Sequence, residues 1–150
     1  MSTALHLAGP DDLEPLARLV GAFHAEMGIE LDEVTRQAAL QPLLDGSPYG
    51  AAYLVGPRRA PIGYAIVTFG WSVEFGGLDA FIDEIFIRPS VRGRGMGGDV
   101  LSALPKALAD AGVVAFHLEV DRNDARAQKL YARAGFQPRD RFMLMSRRLR

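Results

Sequence analysis

Val91-Arg92-Gly93-Arg94-Gly95-Met96-Gly97-Gly98 decides the reading of this chain, because of what stands on either side of it. Upstream runs an apolar, strand-like segment, Phe81-Ile82-Asp83-Glu84-Ile85-Phe86-Ile87, ended by Arg88-Pro89. Downstream, from Asp99 to Ala111, the apolar residues recur at helical spacing. A glycine-rich turn between a strand and a helix aims several backbone N–H groups, and the positive end of the helix dipole, into one concavity. Arg92 and Arg94 add forked, permanently charged donors. Such a turn suits a phosphate or pyrophosphate, with glycine where the backbone takes a positive φ or must touch the ligand.

The surroundings narrow the kind of turn. No Lys-Ser or Lys-Thr follows the glycines, so it is not a P-loop. Gly93-x-Gly95-x-x-Gly98 satisfies the dinucleotide fingerprint, and Glu119 lies about 20 residues on, where such a site places its ribose ligand. In that fold the strand runs almost directly into the first glycine, whereas here Arg88-Pro89-Ser90-Val91-Arg92 intervenes. A Rossmann-type NAD(P)-binding oxidoreductase stands as the alternative.

Composition sets the outer bounds. The 150 residues are 49% hydrophobic, enough for a single domain over 1–150 with a real core. A net charge of −1 marks no nucleic-acid surface. No apolar run is long enough to span a bilayer, and the N-terminus lacks a basic-then-apolar signal pattern. A cytoplasmic protein without membrane attachment is expected. With no cysteine there is no disulfide, thiolate metal site or cysteine nucleophile. His6, His24 and His117 share no metal-ligand spacing, so no metal is expected.

Local patterning predicts a strand over 3–8 and a helix opened by Gly9-Pro10-Asp11-Asp12, with Leu13, Leu16, Ala17, Val20 and Phe23 as its apolar stripe. A second helix is expected over about 31–44. Strands follow at 51–55 and 62–69, and Gly76-Gly77 turns the chain into another at about 79–87. Pro105 should kink or shorten the helix after the glycines. A strand over 113–120, a helix over about 124–134 and a last strand over about 140–149 complete a mixed α/β order.

Two motifs at a fixed separation carry a family resemblance. The first is Arg92-x-x-Gly95-x-Gly97 after an apolar strand. The second is Asp124-Ala125-Arg126-Ala127-Gln128-Lys129-Leu130-Tyr131-Ala132-Arg133-Ala134-Gly135-Phe136 after the next strand. Together, over about residues 80–137, they resemble the GNAT superfamily of N-acetyltransferases. The resemblance implies a mostly antiparallel, splayed central sheet flanked by about four helices, with acetyl-coenzyme A as co-substrate. It implies that Gly93, Arg94, Gly95, Met96, Gly97 and Gly98 hold the pyrophosphate beside Arg92. Ile85, Phe86 and Ile87 would pair through their backbone with pantetheine, as an open strand edge binds a peptide. Tyr131 corresponds to the general acid that protonates the departing thiolate. Asp124 stands where many relatives carry Asn; it can cap the helix but, ionised, donates no amide hydrogen bond to the cofactor.

An attacking amine must shed a proton, and three carboxylates are candidates for the base. Asp83 and Glu84 interrupt an apolar strand, where a charge needs a partner or a function. In a regular strand they face opposite sides, so only one can reach the acceptor cleft, and a bulge would change which. Both resemble the paired acids of polyamine-type acetyltransferases; Glu119 matches the base position of the ribosomal-protein N-terminal acetyltransferases. The preferred order is Glu84, Asp83, Glu119, with surface pairing to Arg88 or Arg92 as the plain structural account of the first two. The acceptor site would draw on His24, Met27, Glu30 and Asp32, and on Tyr49, Trp71, Glu74 and Phe75 around the hairpin. Acids and aromatics together suit a small cationic amine, with a peptide amine as the lesser choice. Trp71, Val73 and Phe75 alternate at strand spacing and fit a homodimer patch as simply. The expectation is direct acetyl transfer to a primary amine in a ternary complex; the further alternative is a non-catalytic acyl-coenzyme A-binding module.

Overall fold

The computed structural model describes residues 4–150. The chain divides into two compact units, one running up to Glu119 and the other Val120–Arg150.

The first unit holds β1 (Leu5–Leu7), α1 (Leu13–Met27), α2 (Glu33–Leu44), β2 (Gly50–Val55), β3 (Gly63–Ser72), β4 (Gly77–Ile87), α3 (Met96–Asp110) and β5 (Ala115–Leu118). The expected start of β1 at residue 3 lies outside the described residues. The sheet order is β1-β2-β3-β4-β5. The first four strands are antiparallel neighbours, and only β4 and β5 run parallel. That arrangement overturns the Rossmann alternative, whose sheet is parallel and doubly wound.

α1 is entered through a 3-10 turn at Pro10–Asp12, where the Asp12 carboxylate accepts the Gly9 N–H at 2.8 Å. α2 starts at Asp32, whose side chain accepts the Thr35 N–H at 2.7 Å. Its buried residues, Arg36, Leu40 and Leu44, recur every fourth position, so one of the three inward positions carries a charge. On one sheet face Ala52, Leu54, Tyr64, Ile66 and Phe86 form a core with Leu16, Ala17 and Val20 of α1 and Leu40 and Leu44 of α2. On the other, Val55, Ala65, Val67, Ala80 and Ile82 are just as buried, and the β4–α3–β5 crossover supplies Val100, Leu101, Leu104 and Leu108. α3 runs through Pro105 to Asp110, so the expected shortening does not occur. The lost ladder bond is a single one, and buried leucines on both sides of it hold the helix down.

One irregularity shapes the middle of the sheet. Ile66 pairs with Glu84 but the next residue, Val67, pairs with Ile82, so Asp83 is the extra residue of a β-bulge in β4. Directly paired residues share a face. Glu84 therefore lies on the face of Ile66, under α1 and α2, while Ile82 stays on the opposite face with Val67. The β4–β5 pairing runs from Asp79↔Ala115 to Ile82↔Leu118 and stops where the bulge begins. Beyond it, Glu84–Ile87 pair with β3 and no longer with β5, which is the splay.

In the second unit α4 spans Ala125–Arg133. The strand expected over 140–149 does not form, and Phe142, Met143, Leu144 and Met145 are exposed. The run is apolar enough for a strand, but a strand needs a partner edge. Local contacts take its place: Phe142 N–H bonds to the Arg139 carbonyl, and the guanidiniums of Arg139 and Arg141 lie 5.7 and 5.5 Å from the Phe142 ring centre.

Candidate active site

The glycine turn leaves the end of β4 through a 3-10 turn at Pro89–Val91 and enters α3 at Gly95. Gly93 and Gly95 take φ of +80° and +83°, the left-handed region that glycine tolerates and side chains do not. The first intrahelical bond closes from Asp99 N–H to the Gly95 carbonyl at 3.0 Å. The N–H groups of Met96, Gly97 and Gly98 precede it, and no side chain caps them. A Cβ built at Gly93, Gly95 or Gly98 would meet nothing within 4 Å, so the turn borders open space. Arg94 is exposed. Arg92 is committed elsewhere: Nε donates to the Ile87 carbonyl at 2.8 Å, Nη2 pairs with Glu26 at 2.8 Å, and the guanidinium lies 5.4 Å from the Phe86 ring centre. It ties the turn to α1 and to the end of β4.

Three N–H groups at a helix start, in open space beside Arg94, suit a pyrophosphate. The edge of β4 at Ile85, Phe86 and Ile87, paired with β3 alone among the strands and with the Ile87 carbonyl taken by Arg92, suits a ligand carrying amides. The residues present therefore fit acetyl-coenzyme A. Among the described residues no group of three or more His, Cys, Asp or Glu is placed to hold a metal ion, and no helix is long and apolar enough to cross a membrane.

The bulge sets the acids. Glu84 is only 17% exposed at its side chain and is held at both oxygens: Tyr64 OH donates to Oε1 at 2.8 Å, and His24 Nε2 meets Oε2 at 2.8 Å. Its partners are thus on β3 and α1, and neither Arg88 nor Arg92 pairs with it. Burial raises the Tyr64 phenol well above its ordinary range, and the Glu84 charge adds to this, so Tyr64 remains a donor. Asp83 reaches solvent, yet enough protein surrounds it for desolvation to raise its carboxyl above the usual 3.8. The charges of Glu84 and then Glu119 push the same way, which brings all three candidate acids into one neighbourhood. Glu119 is exposed, one residue past β5.

Beyond the end of α1 the same face carries Asp79, Phe81 and His117. His117 Nε2 lies 3.3 Å from Asp79 Oδ2, and its ring sits 5.3 Å from Phe75 and 4.9 Å from Phe81. Phe81 is 43% exposed, so this paired stretch of β4 and β5 shows an aromatic surface beside the half-buried Asp79–His117 pair. Asp32 is occupied in capping α2, whereas Tyr49, Trp71 and Val73 project into solvent.

The second unit explains the motif around Tyr131. Asp124 caps α4 by accepting the Ala127 N–H at 3.0 Å. The helix ends in a Schellman arrangement: Gly135, φ +98°, donates to the Ala132 carbonyl at 3.0 Å and Phe136 to the Tyr131 carbonyl at 3.0 Å. The hydrophobic contact of that cap is Phe136 edge-on to Tyr131, ring centres 6.2 Å apart. Tyr-x-x-x-Gly-Phe is therefore a helix stop that seats the tyrosine ring. Burial and then the Asp124 charge raise the Tyr131 phenol, which keeps its proton at neutral pH.

Sequence reading did not find Arg36, Tyr64 or the Asp79–His117 pair. Arg36 left a legible signal, since it falls on the stripe of Leu40 and Leu44. Tyr64 left little, because a tyrosine in an apolar strand reads as core.

The acetyltransferase (GNAT) family model matches residues 21–136. Thialysine N-epsilon-acetyltransferase of Bos taurus is 28% identical over 76 residues, 51% of this chain and 44% of that protein, so less than half of the curated relative is spanned. Among solved structures, an integron cassette protein from the mobile metagenome of Cole Harbour Salt Marsh superposes with a TM-score of 0.84 at 32% identity, covering 97% of this chain and 90% of that one. An aminoglycoside acetyltransferase from an uncultured soil metagenomic sample, in complex with sisomicin, shares the fold with a TM-score of 0.82 at 14% identity, covering 99% and 97%. With a family model matched over most of its length, on a fold that carries the glycine turn and the splayed strand in their expected order, this chain belongs to the acetyltransferase (GNAT) family.

Proposed function

We propose that the chain transfers an acetyl group from acetyl-coenzyme A directly to the primary amine of a small cationic acceptor, as a single acetyltransferase domain in the cytoplasm. The observation that carries this reading is the bulge at Asp83, which gathers Asp83, Glu84 and Glu119 where β4 and β5 part. The acids attract an ammonium group through charge, and the exposed rings of Phe75 and Phe81 further along the same face add cation–π attraction at their faces. The sisomicin bound by the soil acetyltransferase and the thialysine in the bovine relative's name are both amines, which favours this class over a peptide.

Acetyl-coenzyme A would be held by the amides of Met96, Gly97 and Gly98 and by the edge at Ile85–Ile87, and it supplies the activated thioester. We assign the base to Asp83 ahead of Glu84 and Glu119, because Asp83 reaches solvent with a raised carboxyl while both Glu84 oxygens are occupied by donors. Glu84 then anchors a second, charged ammonium of the acceptor, while the reacting amine is neutral. As the amine nitrogen bonds to the carbonyl carbon, its proton passes to Asp83. The carbon–sulfur bond breaks, and Tyr131 gives its phenolic proton to the leaving sulfur. Backbone N–H groups at the open edge of β4 face the negative charge developing on the carbonyl oxygen. With no cysteine in the chain, no thiol of the protein intercepts the acetyl group.

The test is coenzyme A release, read with a thiol reagent, over a panel of diamines, aminoglycosides and peptide amines. Turnover should appear with the diamine or aminoglycoside class and fall by about 10²–10⁴-fold in Asp83→Asn and in Tyr131→Phe. Turnover with peptides alone would sink the acceptor assignment. Binding of acetyl-coenzyme A without turnover on any amine would point to the non-catalytic module.

A further inference from the structure

We propose that His24 and Arg36 are positioning residues for Glu84, together locking one imidazole tautomer whose N–H is aimed at that carboxylate. The inference deepens the acetyltransferase reading and rests on it for its consequence, though not for its geometry.

Four side chains from four elements form one connected network. Arg36 on α2 is 8% exposed and held at three points: Nη1 pairs with Glu33 at 2.6 Å, Nη2 donates to the Leu31 carbonyl at 2.8 Å, and Nε donates to His24 Nδ1 at 3.3 Å. A guanidinium has donors only, so the His24 nitrogen facing it must accept. The ring is then neutral with its hydrogen on Nε2, and that nitrogen lies 2.8 Å from Glu84 Oε2. An imidazolium would set two N–H groups against each other where His24 is 6% exposed and Arg36 8%. The charged groups facing His24 are Arg36 from α2 and Glu84 and Asp83 from β4, with Glu33 behind Arg36. Tyr64 from β3 completes the hold by donating to Oε1.

The consequence is a carboxylate that cannot turn. Each Glu84 oxygen accepts one bond from the protein and keeps a second lone pair. The part of Glu84 that reaches solvent therefore presents those lone pairs in one fixed direction. A primary ammonium that satisfies them is held with its remaining N–H bonds in a set orientation, which an untethered glutamate would not impose. Arg36 touches neither acceptor nor cofactor in this scheme; it acts through His24.

The direct test reads the tautomer. In whole protein labelled with ¹⁵N-histidine, a long-range ¹H–¹⁵N correlation spectrum at neutral pH should show His24 neutral with the hydrogen on Nε2, assigned by its loss in His24→Gln. Arg36→Leu should release the lock and give mixed tautomers. A wild-type His24 that is doubly protonated, or carries its hydrogen on Nδ1, overturns the proposal even if Arg36→Leu fails to fold. The second arm separates positioning from packing. Gln at position 24 can still donate to Glu84 and accept from Arg36, whereas Leu fills the volume without either. His24→Leu should lose about 10–100-fold in kcat/KM for the amine, with the acetyl-coenzyme A dissociation constant unchanged. His24→Gln should recover most of that loss, and equal activities in the two variants would overturn the role. If the wild type acetylates no amine at all, the acetyltransferase reading fails while the spectrum still decides the lock.

Discussion

Asp83 shows at the scale of one residue how a site can oppose the fold that carries it. Its folded carboxyl is raised above 3.8, first by desolvation and then by Glu84 and Glu119, so the native state resists its ionisation. Between the unfolded and the raised value the native protein binds more protons than the unfolded chain. The Asp83 contribution to stability is therefore present at low pH and is lost as pH rises through that window. Asp83→Asn removes the charge and should raise the melting temperature at pH 7 while lowering turnover. The gain over wild type should shrink as pH falls toward 4. A variant no more stable at pH 7 would mean that Asp83 is well solvated, and its assignment as the base would lose its support. The opposite logic applies to Gly135, whose φ of +98° serves the fold. Gly135→Ala should cost about 1 kcal/mol or more through strain and loosen the seat of Tyr131, read as a lower melting temperature together with lower turnover.

At the scale of elements, what was legible in the sequence follows from what each element depends on. α1 and α2 carry their own stripes and caps, and β2, β3 and β4 their own apolar runs, so all were readable within a few residues. The bulge in β4 was not, because it is a relation between Ile66, Val67 and their partners and leaves no composition of its own. The strand expected at 140–149 failed for the same reason: its pattern names no partner edge. The buried network is split likewise among α1, α2, β3 and β4, so His24 and Glu84 stand out in the sequence while Arg36 and Tyr64 do not. The α1–α2 seam offers a test of how tightly that network is packed. A Cβ added at Gly21 would meet Arg36 Nη1 at 3.5 Å and Cζ at 3.7 Å, ordinary contact rather than a clash. Gly21→Ala should stabilise α1 by up to about 1 kcal/mol through helix propensity, a rise of about 2–4 °C in melting temperature, with activity retained. A lower melting temperature would show that Arg36 has no room to keep its three bonds.

Over the chain as a whole the charges nearly cancel, 17 Lys and Arg against 18 Asp and Glu, but they are sorted. Asp83, Glu84 and Glu119 stand where β4 and β5 part, while Arg88, Arg92 and Arg94 stand in and just before the glycine turn. An anionic coenzyme and a cationic amine would thus meet fields of opposite sign on one sheet, each weakened by added salt. The coenzyme half of that claim can be isolated without knowing the acceptor. A ligand that binds only the folded protein, at about 100 times its dissociation constant, stabilises it by about 2.7 kcal/mol, or about 5–10 °C for a chain of this size. Acetyl-coenzyme A and coenzyme A should each produce such a shift, and NAD at the same concentration should not. Adding salt should shrink the shift, and Arg94→Ala should shrink it further, because both arginines of the turn are exposed but Arg92 is tied to Glu26 and Ile87. A shift indifferent to Arg94 would place the binding in the N–H groups of Met96, Gly97 and Gly98 alone. The absence of any shift with either coenzyme would remove the glycine turn from the site.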